Sequence, residues 1–310
     1  MQRSTRPIVI RLLSFARPYW RTIIVASFCV AGASAFVLLL PYLLRWAIDT
    51  GLAVKDGVPT GDRRTLVLIG LGIVGTAAAR GIFSYGQTYF GEWIGQRVAY
   101  DIRNAIYDHL QRLSFAYHDK AQTGQIMSRA TQDVEGVRLF ISMGVLRLVY
   151  VLVLLVATLI MMLTTNWKLS LLVWLFIPFE AGLSIYFTSK LRPLWLEVQD
   201  LQGRLGAVLQ ENLSGQRVVK AFAREQYESV KFSKEAKELF ERGYEMNRIQ
   251  AFSTPLLTGI WMTAMVAVAW YGAREIDGGA LTAGELGQFM LLLTLLQLPV
   301  RSLGWIVMLF

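Results

Sequence analysis

The chain has 310 residues, 54% of them hydrophobic, with a formal net charge of +9 and a mean hydropathy of +0.43. That is too apolar for an ordinary soluble domain, and apolar runs near 20 residues read as membrane spans. A single cysteine, Cys29, excludes an intrachain disulfide, and neither histidine has ligand partners at metal spacing, so no metal site is expected.

Residues 1–21 read as a tail and a short interfacial helix. Over Pro7–Tyr19, Ile8, Leu12, Phe15 and Tyr19 recur at helical spacing, with Arg11 and Arg17 flanking the stripe. The segment lacks the apolar core and small-residue site of a cleavable signal. Residues 22–310 hold six spans: Thr22–Ala47, Leu66–Tyr89, Gly136–Leu163, Leu169–Leu191, Phe252–Tyr271 and Glu285–Phe310. Trp20, Trp46, Trp167 and Trp270 fall at or near span ends, where the amphipathic indole prefers to sit. The fold class is therefore all-α membrane.

The connections are unequal. Thr164–Lys168 is a tight turn, and Asp49–Thr65 and Gly272–Gly284 are short loops rich in Gly and Asp. Phe90–Glu135 and Arg192–Ala251 are long and charged, and they carry most of the Lys and Arg together with the N-terminal segment. By the positive-inside rule the N-terminus and both long connections are expected to be cytoplasmic, with the protein in the cell's inner (plasma) membrane. The positive charge is a topology signal, and a nucleic-acid partner is not expected.

No proline occurs between Pro59 and Pro178 or between Pro193 and Pro255, and helical patterning runs out of the spans. Leu169–Asn212 as one helix would be roughly 65 Å long at 1.5 Å per residue. The hydrocarbon core takes about 30 Å of that. Two helical hairpins should therefore project far beyond the bilayer, with tips near Leu113–Thr123 and Glu211–Lys220. The second tip, within Glu211–Glu228, is amphipathic: Arg217, Lys220 and Arg224 share one face, and Val218, Val219 and Phe222 lie opposite. Such a stretch is either a solvated linker or a surface built to touch another protein.

Within the spans, Arg80 and Glu180 are ionisable groups at costly depth. Counted from Leu66 and Leu169 they lie roughly 21 Å and 17 Å deep, which permits an ion pair. Alternatively each lines a wet cavity, or Arg301 partners Glu180. Gln297 and Arg301 in the sixth span, and Met262, Met265 and Met290, are candidates for a pathway surface, the methionines also serving as ordinary packing. Gly91 and Gly95 form GxxxG, which allows close helix contact.

Several stretches, in order, resemble the membrane domain of ATP-binding cassette (ABC) exporters, over nearly the whole chain. LLSFARPYW resembles the family's elbow helix. LSFAYHDKAQTGQIMSRATQDVEGVR resembles its first intracellular loop, with Phe115, Thr123, Gly124, Ser128, Arg129 and Asp133. ENLSGQRVVKAFAREQYE resembles the second, with Glu211, Gly215, Val219, Lys220, Phe222 and Glu225. GALTAGELGQFMLLLTLLQLPVRSL resembles the start of the sixth span.

The resemblance implies a domain-swapped dimer, homo- or heteromeric, that moves hydrophobic or amphipathic substrates such as drugs or lipids outward by alternating access. It implies that the tips are coupling helices resting on nucleotide-binding domains, of the same gene or a partner chain, through Phe115, His118, Asp119, Glu211, Arg217, Lys220 and Phe222. The sixth span is expected to line the pathway. No cofactor is implied on this chain; ATP and Mg are expected on the nucleotide-binding domain. No GxxxxGK[ST] phosphate loop occurs, and LSGQR at Leu213–Arg217 lacks a glycine of the ATP signature LSGGQ. No ATPase motif and no catalytic residue is therefore identified on the chain. Because the family's sixth helix runs on into the ATPase domain, the chain is expected to be part of a longer protein. A non-transporting membrane module on the same fold is the alternative reading. An ion-driven transporter would show broken spans and internal repeats, which are not evident.

Overall fold

The computed structural model describes residues 14–52, 54–55, 58–59, 62–120 and 123–307, with side chains left undescribed at 54–55, 58–59, 118–120, 123, 125 and 303–307. The interfacial helix expected at Pro7–Tyr19 falls largely outside these residues. Its described end, Arg17–Tyr19, is a 3-10 turn leading into α1 (Trp20–Trp46).

Six helices are long and apolar enough to cross a membrane. A two-residue antiparallel pair, β1 (Val54–Lys55) and β2 (Val58–Pro59), lies between the first and second. Helix α2 (Arg63–Gln111) follows, opened by Asp62, whose carboxylate accepts from the Arg64 and Thr65 amides. Short helices α3 (Phe115–Lys120), α4 (Thr123–Ser128) and α5 (Val134–Leu139) lead into α6 (Leu146–Thr165), with π-helical turns at Arg129–Asp133 and Phe140–Val145. Then come α7 (Trp167–Ser214), the short α8 (Gln216–Ala221), α9 (Glu225–Asp277) and α10 (Ala283–Val307).

The expected helix lengths hold. Helices α2, α7 and α9 have 49, 48 and 53 residues, or about 74, 72 and 80 Å at 1.5 Å per residue. Each exceeds the roughly 30 Å hydrocarbon layer by about 40 Å or more. Leu71, Val74, Ile82, Leu171, Leu175 and Val266 are exposed on these helices. A soluble monomer would not tolerate so much apolar surface, and a lipid environment satisfies it. The chain is a multi-pass membrane protein.

The chain forms two compact units. The first holds residues to Trp167 together with Gly272–Leu296. Its core gathers Ala26 and Val30 of α1, Ile94 and Val98 of α2, and Ile141 and Leu146 of the third span. Tyr19 donates to Asp101 at 2.7 Å and stands edge-on to Trp93. The GxxxG glycines do what their size suggests: a Cβ on Gly91 would lie 3.0 Å from the Ser142 carbonyl oxygen, and one on Gly95 3.1 Å from that of Arg138. Beside this contact Arg138 bridges Glu135 and Glu92.

The second unit holds Lys168–Tyr271 and the residues from Gln297 onward. Its α7 and α9 run antiparallel, tied along their length by Phe187–Phe252 ring contact, Arg242–Glu197 at 2.9 Å, Arg204–Glu238 at 2.9 Å and Lys231–Glu211 at 2.7 Å. Each step along one helix is matched by a step back along the other.

Candidate functional site

The tip of the α7–α9 hairpin is built by three backbone devices. Gly215 ends α7, its amide donating to the Glu211 carbonyl at 2.9 Å, and starts α8. At the far end Ala223 takes φ +47°, the left-handed region. The Arg224 amide then donates to the Val219 carbonyl at 3.0 Å and the Ala223 amide to that of Lys220 at 3.3 Å. That pair of bonds is a Schellman closure, usually made with glycine. Alanine here accepts a backbone penalty to aim the chain into α9.

Side chains complete the brace. Lys231 donates to Glu211 at 2.7 Å, Lys220 to Glu225 at 2.9 Å, and Asn212 to Glu228 at 3.3 Å. Hydrogen bonding to Lys231 holds the Glu211 carboxyl below its ordinary range, and Lys220 does the same to Glu225. Both carboxylates are charged at neutral pH.

What the brace holds up is an apolar surface. Phe222 is 74% exposed and Val218 61%, one helical turn apart, with exposed Leu213 and Arg217 nearby in sequence. Arg217 has no ion-pair partner among the described residues. Lys220 pairs with Glu225 at 2.9 Å and, like Arg217 and Arg224, remains exposed. At the other tip Phe115 is 88% exposed at the start of α3. The side chains of His118 and Asp119 lie outside the described residues.

The intramembrane candidates resolve differently. Glu180 on α7 is fully buried. Arg301 of α10 donates to it at 3.3 Å and to Thr258 of α9 at 3.0 Å, while Ser184 donates to the Arg301 carbonyl at 3.1 Å. Of the arrangements the sequence leaves open, the structure shows the Glu180–Arg301 pair. Depth along the span marks Glu180 as needing a partner, and the reach of Arg301 from α10 supplies one. Arg80 is exposed on α2, without an ion pair among the described residues. Gln297, Met265 and Met290 are half-buried and Met262 is exposed. Among the described residues no cluster of His, Cys, Asp or Glu could hold a metal.

One cluster escaped the sequence reading. Arg45 pairs with Glu285 at 2.8 Å, and Asp49 accepts from the Thr282 hydroxyl and the Gly284 amide, both at 2.8 Å. The available signal was Thr282-x-x-Glu285, a capping box opening α10. Its two reciprocal bonds are present, at 2.8 and 3.0 Å. Nothing in the sequence points to Asp49, more than 230 positions away.

Comparison with known proteins agrees with this architecture. Residues 23–300 match the model of the ABC transporter transmembrane region. A Bacillus subtilis (strain 168) protein described as the uncharacterized ABC transporter ATP-binding protein YknU is 29% identical over 97% of this chain and 50% of its own length. ATP-dependent lipid A-core flippases are similar too. That of Syntrophus aciditrophicus (strain SB) is 29% identical over 94% of this chain and 48% of its own length. That of Acinetobacter baylyi is 29% identical over 96% and 50%. The chain spans about half the length of the curated relatives it matches. With six long apolar helices and a match across most of its length, the chain belongs to the ABC transporter transmembrane region family.

Proposed function

We propose that the chain is the transmembrane part of an ATP-driven exporter or flippase of lipids or other amphipathic molecules, working as a dimer with its long hairpins on the cytoplasmic side of the inner membrane. The observation that carries this reading is the second tip. An exposed apolar pair, Val218 and Phe222, is held rigidly at the end of helices about 70–80 Å long. Exposed hydrophobes so far from lipid are costly unless a protein covers them. Phe115 gives the first tip the same character.

Bound on the nucleotide-binding domains, ATP would supply the free energy that draws those domains together. The chain's own part is mechanical. Val218, Phe222 and Arg217 receive the displacement, and the ion pairs along α7 and α9 pass it towards the membrane as a rigid-body motion. A lipid-like cargo is supported by the relatives, several of which are described as ATP-dependent lipid A-core flippases. That most of the α7–α9 hairpin, with the end of α10, forms one compact unit suits an element exchanged with a second subunit.

The test is reconstitution of the full-length protein in vesicles carrying fluorescent lipids of varied headgroup. ATP-dependent loss of one lipid class from one leaflet is the expected result. ATP hydrolysis that no lipid or amphiphile stimulates, with no movement of any of them, would refute the reading.

A further inference from the structure

Helix α10 is pinned at two places that differ in kind. Its start is held to the end of α1 by side chains with access to solvent: Arg45 is 34%, Asp49 23% and Glu285 17% exposed. Arg45 pairs with Glu285 at 2.8 Å and approaches Asp49 at 3.7 Å. Asp49 takes the Thr282 hydroxyl and the Gly284 amide. Gly284 is required for this approach, since a Cβ there would stand 2.5 Å from the Arg45 carbonyl oxygen and from the Asp49 carboxylate. Farther along, Arg301 is tied to Glu180, Thr258 and Ser184, and Glu180 is fully buried.

Between the two anchors stands Pro299, which has no amide to give the helix and leaves a carbonyl one turn back without its partner. The division of the chain falls within one turn of it: α10 belongs to the first unit up to Leu296 and to the second from Gln297.

We propose that α10 is a hinged lever with one fixed anchor and one releasable latch. The physical difference between the anchors decides which is which. Parting Arg301, itself 31% exposed, from Glu180 would leave the fully buried Glu180 carboxylate with no partner and no water to replace it. Parting Arg45 and Asp49 from α10 lets water take over groups that are already partly wet. Thr282 and Glu285 keep capping α10 after release, because their bonds are to each other. The latch therefore opens as a unit, with the helix start intact. Opening bends α10 at Pro299 and frees the end of α1, while Arg301 keeps the far end seated. The inference rests on the transporter reading above: latch release is the step by which this end of the first unit opens during transport.

The experiment follows the latch directly, without relying on transport. In the full-length protein in lipid nanodiscs, with Cys29 and any cysteine outside these 310 residues replaced by alanine, Ala283→Cys carries a bimane whose quencher is Trp46 beside Arg45. Two lifetimes are expected, quenched and unquenched, with Trp46→Phe abolishing the quenched one. The unquenched share should at least double in Arg45→Ala, and also in the milder Glu285→Gln, while Thr258→Ala at the other anchor leaves it unchanged. A single quenched population in all variants would show a static joint and overturn the proposal. So would a response to Thr258→Ala with none to Arg45→Ala. Absence of ATP-driven lipid movement by the wild-type protein would refute the transporter reading alone, since the lifetimes report the latch either way.

Discussion

The second unit carries charge in two settings, and they differ in what each charge is for. At Glu180–Arg301 the carboxylate is fully buried, and its partner is a single arginine that also reaches Thr258. At the tip, Lys231–Glu211 and Lys220–Glu225 are shorter contacts, yet all four groups stand in water. The tighter geometry is the weaker contributor, because solvent screens it and offers either ion an equivalent partner. Breaking the buried pair on one side leaves a charge without compensation, while breaking an exposed pair at the tip does not.

The largest expected effect comes from breaking the buried pair on one side only. Arg301→Ala leaves Glu180 without compensation and should cost about 3 kcal/mol, the low end for such a loss because Arg301 is 31% exposed. The check is the thermal midpoint of the detergent-solubilised protein. Replacing both residues by leucine should recover most of that loss, since no charge is then stranded. A double variant as unstable as the single one would break the comparison.

Next in size is a functional effect without a stability effect. Arg217→Glu and Phe222→Ala remove exposed groups, so each should shift stability by no more than about 0.5 kcal/mol. ATP-driven lipid movement, by contrast, should fall roughly tenfold, the scale of losing about 1.4 kcal/mol of coupling contact. Equal losses of stability and transport would mean that the tip is structural.

Smaller still is Ala223→Gly. Relief of the left-handed alanine should stabilise the hairpin by about 0.5 kcal/mol, the backbone penalty being partly offset by the freer unfolded chain. Chemical denaturation of the full-length protein would resolve it.

Smallest is the response of the tip to acid. Lys231 holds the Glu211 carboxyl below its unfolded value. The contribution of that pair is thus present above the ordinary carboxylate range and is lost as pH falls through the lowered folded value. Glu211→Gln should leave the thermal midpoint at neutral pH unchanged within error and flatten its acid dependence slightly.

How much of this the sequence revealed follows from the range of the interactions. Hydropathy is local, so all six spans and the extension of α7 to Ser214 were legible, the last from the spacing of Pro178, Pro193 and Pro255. The amphipathic tip was legible for the same reason. The left-handed Ala223 was not, because only glycine or asparagine would have advertised it. Depth along a span identified Glu180 as needing a partner but could not choose between Arg80 and Arg301. That choice depends on which helices lie side by side. The Asp49 contacts to Thr282 and Gly284 span 233 and 235 positions and were invisible for that reason. The π-helical turns at Arg129–Asp133 and Phe140–Val145 leave the apolar pattern almost unchanged, so periodicity passed over them.

The central claim is that the exposed tip transmits motion and does not hold cargo. It is tested most directly by measuring ATP hydrolysis, lipid movement and lipid affinity together in the reconstituted full-length protein carrying Arg217→Glu and Phe222→Ala. Hydrolysis should continue, lipid affinity should match wild type, and lipid movement should fall about tenfold. Lost affinity with hydrolysis and movement still coupled would contradict the account.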